Sequence, residues 1–174
     1  GYAKSHPICR ILKDNQIAEE VPRRVIMVSH YASSVNNPHQ SLLNCGACGG
    51  QSGSLNVAVV TAILNDAEVK EVLSNDYGYQ LSDSHFCTTA HNTTTDNITI
   101  ISQPDITHDS IDKLKQLFSA ASIQVRKERR DELYQNYSDD NVDDVTFFEN
   151  LAKSHHETRP EWGLANNAAM FIAP

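Results

Sequence analysis

The sequence has no long apolar run. Its most apolar stretch, around Val57 to Leu64, falls far short of the roughly 20 residues that a spanning helix needs, and no basic-then-apolar segment opens the chain. Neither a transmembrane helix nor a secretory signal is therefore expected. Basic charge is also in short supply: 14 Lys+Arg against 22 Asp+Glu leave a net charge of -8, which repels polyanions and argues against nucleic-acid binding. The four cysteines, Cys9, Cys45, Cys48 and Cys87, are too few and too unevenly spaced for a disulfide-dense secreted scaffold. Reduced thiols or metal ligands in a cytosolic setting are the expectation. Asn92, Asn97 and Asn136 open N-x-Ser/Thr sequons, as chance provides in a Thr/Asn-rich chain. There is no internal repeat and no low-complexity tract. The 174 residues suit a single α/β domain, and the Gly1-Tyr2 opening and apolar Phe171-to-Pro174 finish suggest a piece of a larger one, with residues 1–24 a peripheral segment.

What is present reads as alternating strands and helices. Val25-Ile26-Met27-Val28 is a continuous β-favouring apolar run, predicted as a strand buried on both faces, of the kind found in parallel sheets. Residues 30–53 form a long Ser/Asn/Gly-rich loop that holds four of the seven glycines between Gly46 and Gly53, and long loops in compact domains are commonly functional. From Ser54 the pattern is helical, with Leu55, Val59, Ala62, Ile63, Val69 and Val72 near one face, the first half buried and the second half partly solvated. Strands are predicted at His85–Ala90 and Ile98–Ile101. A helix capped by Asp109 follows, with Ile111, Leu114, Phe118, Ala121 and Val125 as its inner stripe and a continuation through Arg126-Lys127-Glu128-Arg129-Arg130. That basic cluster, followed by Asp139, Asp140, Asp143, Asp144 and Glu149, is read as a solvated face. Trp162 to Ala165 and Ala168 to Ala173 suggest a turn and a last buried strand.

Three places carry residues suited to chemistry. His30 directly follows the first strand, and ligands of open α/β sheets bind at the carboxyl ends of strands, although a structural histidine is the simpler alternative. Cys45-Gly46-Ala47-Cys48-Gly49-Gly50 sets two thiols on a permissive backbone. A thiolate from this loop and His30 could share a Zn²⁺, the Cys-x-x-Cys pair could cycle as a thiol oxidoreductase, or the thiols could be buried structural groups. His91-Asn92-Thr93-Thr94-Thr95-Asp96 gathers hydrogen-bonding side chains after the second strand, fitting either a set that orients metal ligands or a Thr-rich turn closed by Asp96. His39, His108, His155 and His156 are expected at the surface.

Taken in order, Asn36-Asn37-Pro38, Cys45 through Gln51, Leu64-Asn65-Asp66, His91 through Asp96 and Arg159-Pro160-Glu161-Trp162-Gly163-Leu164-Ala165 resemble the DabA family of bacterial inorganic-carbon transporter subunits. The resemblance covers residues 25–104 and 155–174. It implies a β-carbonic-anhydrase-like (Rossmann-like) part-domain, a mostly parallel sheet flanked by helices, peripheral at the cytoplasmic face of the inner membrane. It further implies zinc held by two Cys, one His and one Asp, of which His30 and Cys45 are the ligands in this chain, with Cys48, His91 and Asp96 as surrounding candidates. The family's other Cys and its Asp come from a Cys-x-Asp segment, and no Cys-x-Asp occurs here. Ser29 and Tyr31 flank the histidine where the family has glycines, and Asn44 precedes Cys45 where it often has Asp. The implied chemistry is hydration of CO₂ to bicarbonate, made vectorial by a membrane subunit similar to proton-translocating antiporters. The rival reading is a non-catalytic interaction module whose Gly/Asn-rich loop docks a membrane partner.

Overall fold

A computed structural model describes residues 7–14, 16–33, 35, 50–102, 108–133 and 142–155. In chain order these residues form α1 (Pro7–Asp14), β1 (Arg24–Tyr31), α2 (Ser54–Asn65), α3 (Ala67–Tyr77), β2 (His85–Asn92), β3 (Asn97–Ser102), α4 (His108–Leu133) and α5 (Asp144–Lys153). The class is α/β, as expected. The three strands lie in the order β1-β2-β3. The His85 amide donates to the Arg23 carbonyl and the Thr93 amide to that of Tyr31, so β1 and β2 advance together and are parallel. Only the four residues Thr93–Asp96 separate β2 from β3, too few for a crossover, so that pair is antiparallel. The sheet is mixed rather than mostly parallel.

The chain divides into two compact units, Gly1–Ser29 with Ser54–Thr89 and Ile100–Ile106, and His30–Gly53 with Ala90–Thr99 and Thr107–Pro174. In the first, Ile8, Cys9 and Leu12 of α1 join Val21, Leu64, Leu73, Tyr79, Leu81 and Phe86 in a buried cluster, with Val25, Met27, Val60 and Ile63 packed against it. The run from Ser54 breaks into two helices at Asp66, whose carboxylate accepts from the amides of Glu68 and Val69 and so starts α3. Gly78, at φ +80°, ends α3 and returns its amide to the Leu73 and Ser74 carbonyls. Asn65 links this pair to the sheet, its side-chain amide donating to the Phe86 carbonyl and its side-chain oxygen accepting from the Phe86 amide.

Two expectations about burial are corrected here. β1 is not covered on both faces: exposure alternates along it, with Ile26 and Val28 outward and Val25, Met27 and Ser29 inward. A strand at the end of a sheet with one covered face shows this period of two. On α2 and α3, Leu55 is 74% exposed and Val59 and Val72 are exposed as well, because the face turned to the core is that of Val60, Thr61, Ile63, Leu64, Val69 and Leu73. In α2 the apolar residues are spread around the helix, so the sequence gives little contrast by which to choose its inner face.

In the second unit, Phe147, Phe148 and Leu151 of α5 form a smaller cluster with Val142 beside it. Asp143 caps α5 by accepting from the Thr146 amide. α4 runs past the basic cluster to Leu133, as expected for its continuation. Among the described residues no helix is long and apolar enough to cross a membrane. Truncating Phe86, at the centre of the first cluster, is expected to destabilise the fold by about 3–5 kcal/mol in urea denaturation, whereas Leu55→Ala should change it by under about 0.5 kcal/mol.

Candidate functional site

The site is built where β1 and β2 end. In a parallel ladder the carbonyl of one residue meets the amide that follows its partner, so Tyr31, bonded to the Thr93 amide, is the partner of Asn92, and His30 is the partner of His91. The two imidazoles therefore occupy neighbouring positions on one face, His30 exposed and His91 half-buried. The His30 carbonyl accepts from the Gly53 amide at 3.0 Å, so the residue just ahead of α2 is tied to the end of β1. Ser33 reinforces the exit: its amide donates to Thr94 Oγ1 and its hydroxyl accepts from Asn92 Nδ2 at 2.6 Å. Asn92 is buried and its side chain is committed, its Oδ1 accepting from the Thr94 amide, which leaves that sequon a structural asparagine.

Asp96 closes the turn. It sits at φ +56°, a left-handed conformation that aspartate tolerates better than most residues, and its amide donates to the Asn92 carbonyl at 2.7 Å. Its carboxylate is buried, meeting His91 Nε2 at 2.9 Å through Oδ1 and the Arg129 guanidinium through Oδ2. Burial pushes this carboxyl up, but the hydrogen bond to His91 and the charge and hydrogen bond of Arg129 outweigh it and hold it below the usual carboxylate range. An ionised carboxylate only accepts, so His91 Nε2 is the donor in this contact.

The basic cluster read as a solvated face proves otherwise. Arg126 is 3% and Arg129 9% exposed. Arg126 Nε donates to the Thr95 carbonyl at 2.7 Å and its Nη2 to Asn97 Oδ1 at 2.6 Å. Burial lowers the Arg126 pKa, and the carboxylates of Asp96 and Glu149 oppose the shift. The Ser122 hydroxyl donates to the Asp96 carbonyl. Arg129 lies 4.2 Å over the Phe148 ring and Arg130 4.5 Å over that of Phe147, Arg130 also pairing with Asp144 at 2.9 Å. The inner stripe of α4 thus passes from Ile111, Leu114 and Phe118 to Ser122, Arg126 and Arg129, while Ala121 and Val125 face out. The turn's carbonyls and carboxylate need donors, and only a polar helix face supplies them. The spacing of Ser122, Arg126 and Arg129, continuing the stripe by fours and a three, was the signal available in the sequence.

Cys45 and Cys48 lie outside the described residues, as do His39 and His156. Among the described residues no group of three or more His, Cys, Asp and Glu side chains is placed to hold a metal. Cys9 and Cys87 are buried free thiols, and burial raises the Cys87 pKa, against the charge of Arg24. A buried thiol whose pKa is pushed up, as that of Cys87 is, forms thiolate poorly.

The described residues are thus α/β in class, with two histidines side by side where β1 and β2 end. Comparison with known families is specific: the sequence model described as "Probable inorganic carbon transporter subunit DabA" matches residues 3–174, and the chain belongs to the DabA family. The match includes residues 3–24 and 105–154, which carried no recognisable motif. Proteins named probable inorganic carbon transporter subunit DabA from Vibrio cholerae serotype O1 (strain M66-2) and Marinomonas sp. (strain MWYL1) are each 39% identical, over 94% and 86% of this chain. The one from Chloroflexus aurantiacus (strain ATCC 29366 / DSM 635 / J-10-fl) is 36% identical over 94% of it. The chain spans about a fifth of the length of these relatives. No solved structure matches.

The buried pair gives a pH prediction. A carboxyl held below its ordinary value near 4 contributes stability that is fully present above that value and is lost as pH falls through the lower folded one. Asp96→Asn keeps the left-handed backbone but leaves Arg129 buried without its charge partner, and is expected to cost about 3 kcal/mol at pH 7. In urea denaturation the gap between wild type and variant should stay constant from pH 7 to 5 and close below about pH 4.

Proposed function

We propose that this chain is the part of an inorganic-carbon transporter subunit that supplies His30 and Cys45 to a zinc site for hydrating CO₂ to bicarbonate. The observation that carries the reading is the strand-end arrangement: His30 is exposed at the carboxyl end of β1, and Cys45 lies in the stretch between it and Gly53, whose amide is tied to the His30 carbonyl. Imidazole and thiolate are the donors zinc favours. Two donors make half of a tetrahedral set, so the reading requires the remaining ligands from outside these 174 residues.

When bound, the ion would lower the pKa of a water so that hydroxide is available near neutral pH to attack CO₂. The chain's own residues then have defined roles. His30 binds through a neutral ring nitrogen. His91, its ring held by Asp96 through Nε2, offers Nδ1 as an acceptor beside His30, suited to order water or bicarbonate there. Asp96, fixed by Arg129, keeps His91 in that tautomer. Cys48 belongs to the same loop as Cys45, as a neighbour rather than a ligand. The names of the relatives support inorganic carbon as the cargo and a multi-subunit transporter as the setting. The partner in this reading is a membrane subunit similar to proton-translocating antiporters, with this subunit peripheral at the cytoplasmic face of the inner membrane.

The test is zinc per chain and rescue of growth in low CO₂, measured on the DabA-length protein that contains this segment. Near-stoichiometric zinc is expected in wild type, with zinc and rescue lost in His30→Ala and in Cys45→Ala. Stoichiometric zinc and full rescue in both variants would overturn the assignment. His91→Ala is expected to keep zinc within about twofold while slowing hydration roughly 10- to 100-fold, the scale for groups that support a metal site.

A further inference from the structure

The guanidinium of Arg129 carries more donors than its described neighbours accept. Nη1 meets Asp96 Oδ2, and the Phe148 ring covers one face of the group. Nε and Nη2 are buried and, among the described residues, have no hydrogen-bond partner. These two nitrogens form one edge of the guanidinium, where two N–H bonds run parallel at the spacing of the oxygens of a planar, carboxylate-shaped anion. Thr95 Oγ1, on the same turn as Asp96, is likewise buried without a partner among the described residues. Buried donors are almost always satisfied, so an unmet pair on one arginine edge marks a missing acceptor.

Charge points the same way. Arg126 and Arg129 are both more than nine-tenths buried, and among the described residues Asp96 is the one buried carboxylate. The acceptors of Arg126 are neutral, the Thr95 carbonyl and Asn97 Oδ1. The charge of Glu149 reaches Arg126, but its carboxylate is half-exposed and pairs with Lys153, while Asp144 pairs with Arg130. The two arginines and Asp96 therefore leave one buried positive charge without a counter-ion of its own, and buried charges are paired. A dianion would overshoot that deficit and meet the repulsion of Asp96. A planar monoanion matches both the charge and the two parallel donors. Bicarbonate is such an anion, and inorganic carbon is the cargo in the names of the relatives. We infer that the Nε and Nη2 edge of Arg129 is a binding site for bicarbonate, linked through Asp96 to His91 and separate from the His30 ring. The inference rests on inorganic carbon as the cargo and does not require zinc.

The direct test is a pair of crystal structures of the DabA-length protein, grown with sodium bicarbonate and with sodium chloride at one pH and ionic strength. A planar anion against Nε and Nη2 in the bicarbonate crystal alone is the expected result. An ordered water there in both crystals would overturn the inference, and so would an acidic side chain of the protein itself, since solvent or the chain would then be the missing acceptor. Affinity in solution is read from NMR line broadening of isotope-labelled bicarbonate. It is measured on His30→Ala, so that the strand-end imidazole takes no part. Binding is expected to persist in that protein and to weaken at least ~10-fold when Arg129→Lys is added, because lysine keeps a positive charge for Asp96 but lacks the parallel donors. Equal binding with and without Arg129→Lys would overturn the site. An anion in the crystal with no binding in solution would be an adventitious ion only, and would overturn it as well. The crystal pair uses the unmodified protein and decides the matter even where Arg129→Lys fails to fold. Zinc content is an outcome of neither measurement, so this proposal and the zinc reading of His30 and Cys45 fail separately.

Discussion

The buried carboxylate of Asp96 is the interaction on which the second unit's strand end depends. One oxygen orients His91 and the other neutralises Arg129, while its backbone closes the β2–β3 turn in a left-handed conformation. A carboxylate this deep costs several kcal/mol in desolvation unless each oxygen is met by a donor. That requirement places α4 with its arginines inward, and Arg126 and Ser122 then donate to the carbonyls of Thr95 and Asp96. Phe147 and Phe148 complete the arrangement by presenting ring faces to Arg130 and Arg129. The polar network and the small aromatic cluster of α5 are therefore one construction.

This network serves the strand ends. His91 is held because its ring nitrogen is tied to a buried carboxylate, and His30 beside it is anchored through its carbonyl by the Gly53 amide. A rigid polar platform of this kind reduces the reorganisation needed when a ligand or ion arrives. In the first unit, Val25 and Met27 of β1 pack against the hydrophobic cluster that contains Phe86 of β2. Register is firmly specified here because a slip by one residue would turn Val25 and Met27 out of that cluster and Ile26 and Val28 into it.

Much of the fold was legible in the sequence. The three strands, the long helix and its extension through the basic cluster follow from runs and periodicities that survive without tertiary information. The family was legible too, because the glycine-rich loop and the Thr-rich turn are local motifs read in order. The inner faces of α2 and α4 were not. In α2 eight of twelve residues are apolar and they are spread around the helix, so periodicity has little contrast, and the face is chosen by Leu64 and Val60 reaching the core while Leu55 is left outside. In α4 the stripe turns polar at Ser122, where apolar patterning looks for Ala121 and Val125.

The sequence by itself determined the class, the three strands, the long helix, the family and the position of His30 at a strand end, because each of these depends on local patterns of residue type, whereas α1, the break at Asp66 and α5 came from the structure. Only the tertiary structure decided that His30 and His91 are partners, that Arg126 and Arg129 are buried, and that β1 is the end strand among the described residues. These are consequences of register, of charge satisfaction across 31 to 33 residues of chain, and of strand order. The physical reason is common to all three: a buried polar group or an unpaired backbone takes its partner from space, and sequence spacing alone does not record which distant residue supplies it.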